Sequence, residues 1–239
     1  MTFFKDKIIY LILFFIITFF IQGIFKLPVI DRDEARFASA SKTMLKTQDY
    51  IDIKMDEEPR YKKPVGIYWA QVFSNYIFGS KPYDEIWVYR LPSLFGVVLS
   101  FFLINNFITS IYNQRISLLT LFFLTLSLLT ISEVHQAKTD GLLFLTIVTC
   151  NLLIFSAFKK NKISIRNKII FWVTMAVGVL IKGPIIFIFV ILPLLIFSII
   201  QKKNYFSIFF NFYGFIVFLL ISIPWFVLIT IKTNGFFWH

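Results

Sequence analysis

The sequence predicts an all-α polytopic membrane protein with about seven transmembrane helices. Of its 239 residues, 58% are hydrophobic and only 15% are charged, and the mean hydropathy is +0.77. Soluble globular chains carry roughly 25% charged residues, so this composition excludes a soluble or disordered protein. The apolar residues also cluster into runs close to the ~20 residues that a helix needs to cross a bilayer.

Seven apolar runs are the predicted spans. The first is interpreted as a retained span, because it lacks the small-residue cleavage site of a signal peptide. The fifth is short, and the fifth and sixth together could be one broken helix; basic runs on both sides of this pair favour two crossings. The seventh is long enough to tilt. The runs are 8–25, 91–108, 116–132, 141–158, 169–181, 185–200 and 206–231.

The charge distribution predicts an orientation. The chain has 24 Lys and Arg against 13 Asp and Glu, a net charge of +11, and the excess lies in short segments between apolar runs. This placement favours membrane topology over nucleic-acid binding. With the N-terminus in the cytoplasm, the short cytoplasmic segments carry ten basic residues and the short outer ones carry three. We therefore expect a membrane protein whose N-terminus lies in the cytoplasm and whose long loop and C-terminal end lie outside.

The first loop, about residues 27–90, is predicted to carry the function. It holds ten of the thirteen acidic residues of the chain. Connecting loops longer than about 15 residues are usually functional or disordered. The acidic residues are Asp31, Asp33, Glu34, Asp49, Asp52, Asp56, Glu57, Glu58, Asp84 and Glu85.

A helix is predicted to begin directly after the first span. Asp31 with Glu34 three residues later has the spacing of a capping box. Asp33 and Arg36 would then share one helix face. The alternative to a functional site here is a capped surface helix with a local ion pair.

The segment 59–64 must be extended around its two prolines. It is predicted to present Arg60, Lys62 and Lys63 together, and such a group of cations beside the membrane suits a lipid phosphate. The alternative is a polybasic strip on anionic headgroups, which needs no specific pocket. The following stretch, 67–78, is predicted to be an interfacial amphipathic helix rich in aromatic residues.

Two ionisable residues lie where predicted spans begin or end. Asp140 begins the fourth span and Lys182 ends the fifth, and ionisable residues at such positions are functional candidates, although a lysine can merely snorkel to the interface. His135 and His239 are too far apart in sequence to indicate a metal site by spacing. Cys150 lies inside an apolar run and is predicted to serve packing.

These motifs resemble a known family. Asp33-Glu-Ala-Arg36, Lys63-Pro64, Thr139-Asp140, Lys182-Gly-Pro184 and Pro224-Trp225 follow in the order found in bacterial members of the dolichyl-phosphate-mannose protein mannosyltransferase family, and they most resemble the lipid A aminoarabinose transferases. The resemblance extends over essentially the whole chain. It implies a GT-C fold glycosyltransferase that takes a sugar from a polyprenyl-phosphate donor on the outer face of the cytoplasmic membrane.

By this resemblance, Asp33 matches the catalytic acidic position, and Arg36 and Lys63 match contacts to the donor phosphate. Asp140 matches an acidic residue of the second outer loop. Relatives often have Glu before the Lys-Pro pair, where this chain has Lys62. Further expected contributors to the site, next to these positions or beside the membrane, are Glu34, Tyr61, Lys62 and Lys182.

The predicted activity is inverting transfer to a lipid, glycan or protein acceptor. It needs no nucleotide or redox cofactor; no residues are assigned to a metal, and assistance by a divalent metal ion is left open. Relatives have more spans, so 1–239 is expected to be one membrane domain, truncated at its C-terminus. The alternative is a non-catalytic membrane protein, either an inactive remnant or a transporter.

Overall fold

The structure is a computed structural model that describes residues 14, 15, 18 and 20–238, except 161, 162 and 203. Almost all of the described secondary structure is helical, which confirms the predicted fold class. In chain order, the elements are α1 (20–26), α2 (Arg32–Thr47), β1 (Lys54–Met55), β2 (Glu58–Pro59), α3 (Gly66–Phe78), α4 (Ile86–Ile111), α5 (Gln114–Leu126), α6 (Leu128–Val134), α7 (Asp140–Lys160), α8 (Ile165–Lys182), α9 (Ile185–Ile200), α10 (Tyr205–Phe209), α11 (Phe212–Lys232) and a 3-10 turn (Phe236–Trp238).

Three helices of the described residues are long and apolar enough to cross a membrane: α4, α7 and α11. A fourth span results if α5 and α6, which meet at a bend of 68°, are counted together. The predicted fifth and sixth spans correspond to α8, which carries charged residues at both ends, and to α9, which has only 16 residues. Half of the predicted first span, 8–25, falls outside the described residues. The count of seven therefore remains a prediction.

The helices α8 and α9 are two elements that fold back on each other. Gly183 ends α8 with a φ of 75°, a value that favours glycine. A Cβ atom at Gly178 would collide with the side chain of Ile186, which a continuous helix would place more than two turns away. This contact favours the predicted pair of crossings over one broken helix.

The predicted seventh span is divided in two. The helix α10 ends at Phe209, and Asn211 caps a new helix by accepting a hydrogen bond of 3.0 Å from the backbone N–H of Gly214. The cap starts α11 where the apolar run itself gives no signal. One long tilted helix over 206–231 is therefore wrong.

The first loop folds into a layer of two helices and a β-hairpin. The helices α2 and α3 confirm the predicted helical segments, and Lys54 pairs with Pro59 in the antiparallel hairpin. The indole N–H of Trp225, on α11, donates to the carbonyl of Ile51 at 3.0 Å. The apolar residues that pack this layer onto α8 and α11 include Phe37, Ala40, Met44, Ile67, Tyr68, Leu180, Trp225 and Ile229.

Candidate functional site

Helix α2 starts as the sequence predicts, but only half of the capping box forms. The Asp31 carboxylate accepts a hydrogen bond of 2.6 Å from the backbone N–H of Asp33, which makes it the N-cap. Glu34 does not complete the box. Its side chain is fully buried and pairs with Arg90 on α4, so it lies beneath the surface that carries Asp33.

Asp33 and Arg36 form the predicted pair on one face of α2. An Arg36 guanidinium nitrogen lies 3.5 Å from a carboxylate oxygen of Asp33. The Asp33 side chain is 60% exposed and that of Arg36 is 26% exposed. The Asp33 carboxyl group is thus accessible to a reacting group, with the Arg36 guanidinium beside it.

A cleft of about 250 Å³ opens beside Arg36. It collects three cationic side chains and one carboxylate, so an anionic group is the ligand that its charge favours. The Tyr61 hydroxyl donates to the Asp52 carboxylate at 2.7 Å, and its ring packs against Phe237. The residues lining the cleft are Arg36, Met55, Glu58, Pro59, Arg60, Tyr61 and Lys62.

The sequence predicted that the segment 59–64 presents Arg60, Lys62 and Lys63 together. In the structure these three cations do not lie together. Arg60 is only 8% exposed, and its guanidinium lies over the Phe37 ring, 5.3 Å from the centroid. Burial raises the pKa of Tyr68, which neighbours Arg60, to about 12. Lys62 is exposed and Lys63 is half-buried. The three cations of the segment thus differ in exposure, with Arg60 turned inward and Lys62 turned to solvent.

Lys63 lies where the first loop meets the end of α8. The following residue, Pro64, is buried and lies against Gly183. A Cβ atom at Gly66 would be 2.7 Å from the backbone carbonyl of Leu180, so the two backbones are in close contact. Within the described part of the chain, no carboxylate pairs with the Lys63 ammonium.

Asp140 and Lys182 form an ion pair that the sequence did not predict. Asp140 begins α7 and Lys182 ends α8, both as expected from the apolar runs. Glu133 lies near the end of α6, and one of its carboxylate oxygens is buried without a hydrogen-bond partner among the described residues. The boundary charges therefore come together instead of snorkelling separately.

Further ion pairs hold the first loop to the other connecting segments. Lys138 contacts Asp31 at 2.6 Å, and Lys232 contacts Asp49 at 2.5 Å. The Lys138 ammonium and the Asp33 backbone N–H lower the pKa of Asp31. The first loop, the turn before α7, the end of α8 and the end of α11 thus lie on the same side of the helices.

The described residues contain no cluster of three or more His, Cys, Asp or Glu side chains suited to a metal ion. Both ring nitrogens of His135 lie within hydrogen-bonding distance of backbone carbonyls, of Ile131 at 2.7 Å and Phe20 at 3.0 Å, which gives this side chain a packing environment. His239 lies outside the described residues. Cys150 is buried, which confirms its predicted packing role.

The site therefore has two groups of the predicted residues. Asp33 and Arg36 lie beside the cleft with Tyr61 and Lys62, whereas Lys63, Asp140 and Lys182 lie near the end of α8. Sequence reasoning missed Arg90 and Lys138, which bind residues of the α2 N-terminus. Arg90 directly precedes an apolar run. Asp140 was selected because it is an ionisable residue at the beginning of a predicted span, and the same criterion could have selected Arg90.

The helices and the charged layer at their ends define a polytopic α-helical membrane protein. The chain belongs to the dolichyl-phosphate-mannose-protein mannosyltransferase family, whose sequence profile matches residues 62–227.

Known relatives extend this comparison. An uncharacterized protein of Aquifex aeolicus is 30% identical over 95% of the chain and 50% of its own length. The undecaprenyl phosphate-alpha-4-amino-4-deoxy-L-arabinose arabinosyl transferase 2 of Proteus mirabilis is 24% identical over 98% of the chain and 42% of its own length. The chain thus spans about half or less of the length of these curated relatives.

The fold is similar to that of ArnT from Cupriavidus metallidurans. The apo structure superposes with a TM-score of 0.82, and the structure bound to undecaprenyl phosphate with a TM-score of 0.85, each at 18% identity. Both comparisons cover 97% of this chain, and they cover 43% and 42% of the solved chains. The predicted fold is thereby confirmed.

Proposed function

We propose that the protein is a membrane glycosyltransferase that moves a sugar from a polyprenyl-phosphate donor to a lipid, glycan or protein acceptor, with inversion. The observation that carries this proposal is the exposed Asp33 carboxylate next to Arg36, at the start of a helix that directly follows the first span. Family membership and the arabinosyl transferase relatives support the reaction class. The charge distribution supports an outer-face site in the cytoplasmic membrane.

Asp33 is the proposed general base. As the acceptor oxygen attacks the anomeric carbon, its proton passes to the Asp33 carboxylate, because a hydroxyl is a weak nucleophile at neutral pH. The bond between the anomeric carbon and the phosphate oxygen breaks on the opposite face. The electron pair of the broken bond leaves with the lipid phosphate. Because attack and departure take place on opposite faces, the configuration at the anomeric carbon is inverted.

Arg36 and Lys63 are the proposed partners of the leaving phosphate. Negative charge accumulates on the phosphate oxygen as the bond breaks, and fixed cations stabilise that charge in the transition state. Lys63 suits this role because no described carboxylate neutralises it. Tyr61, Lys62, Asp140 and Lys182 are proposed to complete the polar surroundings of the substrates.

The three acidic residues at the start of α2 have different environments, which favours Asp33 as the base. Asp31 is engaged as a helix cap and with Lys138, and Glu34 is fully buried against Arg90. Asp33 is the most exposed of the three, and its contact with Arg36 is long, at 3.5 Å. A carboxylate must reach the acceptor hydroxyl to accept its proton.

The test compares Asp33→Asn with Asp31→Asn in the natural full-length protein. Membranes containing each variant are assayed for transfer of labelled sugar from a polyprenyl-phosphate donor. Asp33→Asn removes the base, so turnover should fall by ~10² to 10⁴ while donor binding persists. Asp31→Asn should cost far less, because asparagine caps a helix about as well as aspartate.

The reverse result would assign the base to Asp31. Near-normal transfer by both variants would exclude both Asp33 and Asp31 as the general base. A wild-type protein that binds donor but transfers no sugar to lipid, glycan or protein acceptors would instead support the non-catalytic alternative.

A further inference from the structure

A fully buried ion pair lies directly beneath the proposed base. The Nε of Arg90 donates to Glu34 at 2.7 Å and one Nη donates to the second carboxylate oxygen at 3.2 Å; both side chains are 0% exposed. The remaining donors of Arg90 bind the carbonyls of Ile24, Leu27 and Pro28 at 2.7–2.9 Å. Because a guanidinium has five N–H donors, every one of them is used.

The pair connects the segments that carry the two acidic candidates. Besides Arg90, Glu34 accepts a hydrogen bond of 3.1 Å from the backbone N–H of Ala137. Glu34 directly follows Asp33 on α2, and Asp140 lies three residues after Ala137. Glu34 thus ties α2 to the turn before α7 from below, beside the more exposed ion pair of Asp31 with Lys138.

Stability alone is a weak reason for such a pair. Two buried charges lose their hydration, and apolar residues of similar volume often give an equally stable protein. A bidentate pair differs from apolar packing in that it fixes the relative direction of its two elements. Here it also anchors the carbonyls at the C-terminal end of α1, which lack partners within that helix.

We infer that Glu34 and Arg90 are positioning residues that hold Asp33 in register with the turn leading to Asp140. This inference rests on the proposed function, because Asp33 is taken as the base. Displacing a catalytic group by about 1 Å can reduce turnover on the order of 10²-fold. The pair would therefore control kcat although neither side chain reaches solvent.

The first arm of the test is kinetic and uses the natural full-length protein. Arg90→Lys keeps the charge but places its three donors on one nitrogen, which cannot reach all four partner residues. Glu34→Asp keeps the charge but shortens the side chain. Both should lower kcat per folded molecule at least about tenfold, with KM for the donor changed less than about threefold. The control is Asp84→Asn. Asp84 is exposed and forms an ion pair with Lys42, which lies on α2 like Glu34, so the variant should leave kcat unchanged.

The second arm measures register without activity. Cysteines replacing Asp31 and Lys138, whose side chains are in contact, are joined by a short bifunctional maleimide. The yield should fall at least about twofold when Arg90→Lys is added and stay constant with Asp84→Asn. If wild type transfers no sugar, the proposed function fails, and this arm still decides whether the pair sets the register.

Two results would overturn the inference. One is unchanged kcat per folded molecule together with unchanged cross-linking in Arg90→Lys and Glu34→Asp. The other is a lower amount of folded protein in both variants with unchanged kcat in the molecules that fold, since the pair would then serve stability alone.

Discussion

The Lys182 ammonium forms an ion pair with the Asp140 carboxylate and thereby joins the end of α8 to the beginning of α7. Both side chains are partly exposed, at 20% and 39%. Gly183, the next residue, lies against Pro64 of the first loop. These two contacts together tie the beginning of α7 and the end of α8 to the segment that carries Lys63.

We expect Lys182→Met and Asp140→Asn to change turnover more than stability. A partly exposed ion pair contributes about 0–1 kcal/mol to the free energy of unfolding, so the melting temperature of the purified protein should shift little. If the two residues act as a pair, the double variant should lose no more turnover than the worse single variant. Losses of transfer rate that add fully would show that each residue acts alone.

Gly66→Ala should destabilise the contact between the first loop and α8. The new methyl would lie 2.7 Å from the backbone carbon and oxygen of Leu180, and such overpacking costs about 1–3 kcal/mol. The loss of stability is measured as a lower melting temperature in thermal unfolding of the purified protein. Shortening the neighbour with Leu180→Ala should not rescue the variant, because the clash is with backbone atoms. An unchanged melting temperature for Gly66→Ala would contradict the close approach.

Local features of the site could be predicted from the sequence. The cap at Asp31 and the pairing of Asp33 with Arg36 depend on residues two and three positions apart, whose geometry any α-helix fixes. The apolar runs likewise located the main helices. The apolar run 206–231 did not predict the helix start at Asn211, because one capping residue inside an apolar run hardly changes the average hydropathy.

Partners distant in sequence could not be predicted, because the packing of helices decides which charges meet. Arg90 lies 56 residues from Glu34, and Lys138 lies 107 residues from Asp31. Arg60 faces inward since its neighbour Phe37 belongs to the buried face of α2. None of these contacts leaves a periodic signal in the sequence.

The ion pair of Asp31 with Lys138 should make stability depend on pH. Lys138 and the Asp33 backbone N–H lower the pKa of Asp31 in the folded state below the ordinary value of 3.8. Its contribution is therefore present above pH 3.8 and is lost as the pH falls through the folded-state pKa. Asp31→Asn keeps the cap but removes the pair.

The measurement is the difference in melting temperature between wild type and Asp31→Asn from pH 7 to pH 3. The difference should be small and constant above about pH 5 and shrink at lower pH. Lys138→Met should give a similar difference. A difference that grows on acidification would contradict the lowered pKa.

The outer location of the first loop is tested by thiol labelling in intact cells. Glu57 is exposed in the turn of the β-hairpin and suits a cysteine, whereas Ser41 is buried and hydrogen-bonded to Gln71. Glu57→Cys should react with a membrane-impermeant maleimide. Lys159→Cys, near the opposite end of α7, should react only after the membrane is opened. Cys150 is buried and should contribute little background; a reversed pattern would invert the orientation.

The final prediction separates a phosphate contact at Lys63 from a polybasic strip. Lys63 is half-buried beside Pro64, at the junction of the first loop with α8, whereas Lys46 is exposed near the end of α2. If Lys63 stabilises the leaving phosphate, Lys63→Ala should reduce transfer on the order of 10² to 10³-fold, as removal of a transition-state donor does elsewhere. Lys46→Ala should leave transfer near the wild-type value.

Salt provides the second measurement for this prediction. Exposed lysines attract anionic headgroups through interactions that are screened over about 10 Å at 0.1 M salt, so a strip would lose its effect as salt is raised. A contact made by the half-buried Lys63 is screened less. The deficit of Lys63→Ala should therefore persist at high salt. Equal, mild losses for Lys63→Ala and Lys46→Ala that vanish at high salt would favour the strip, because only total charge would then matter.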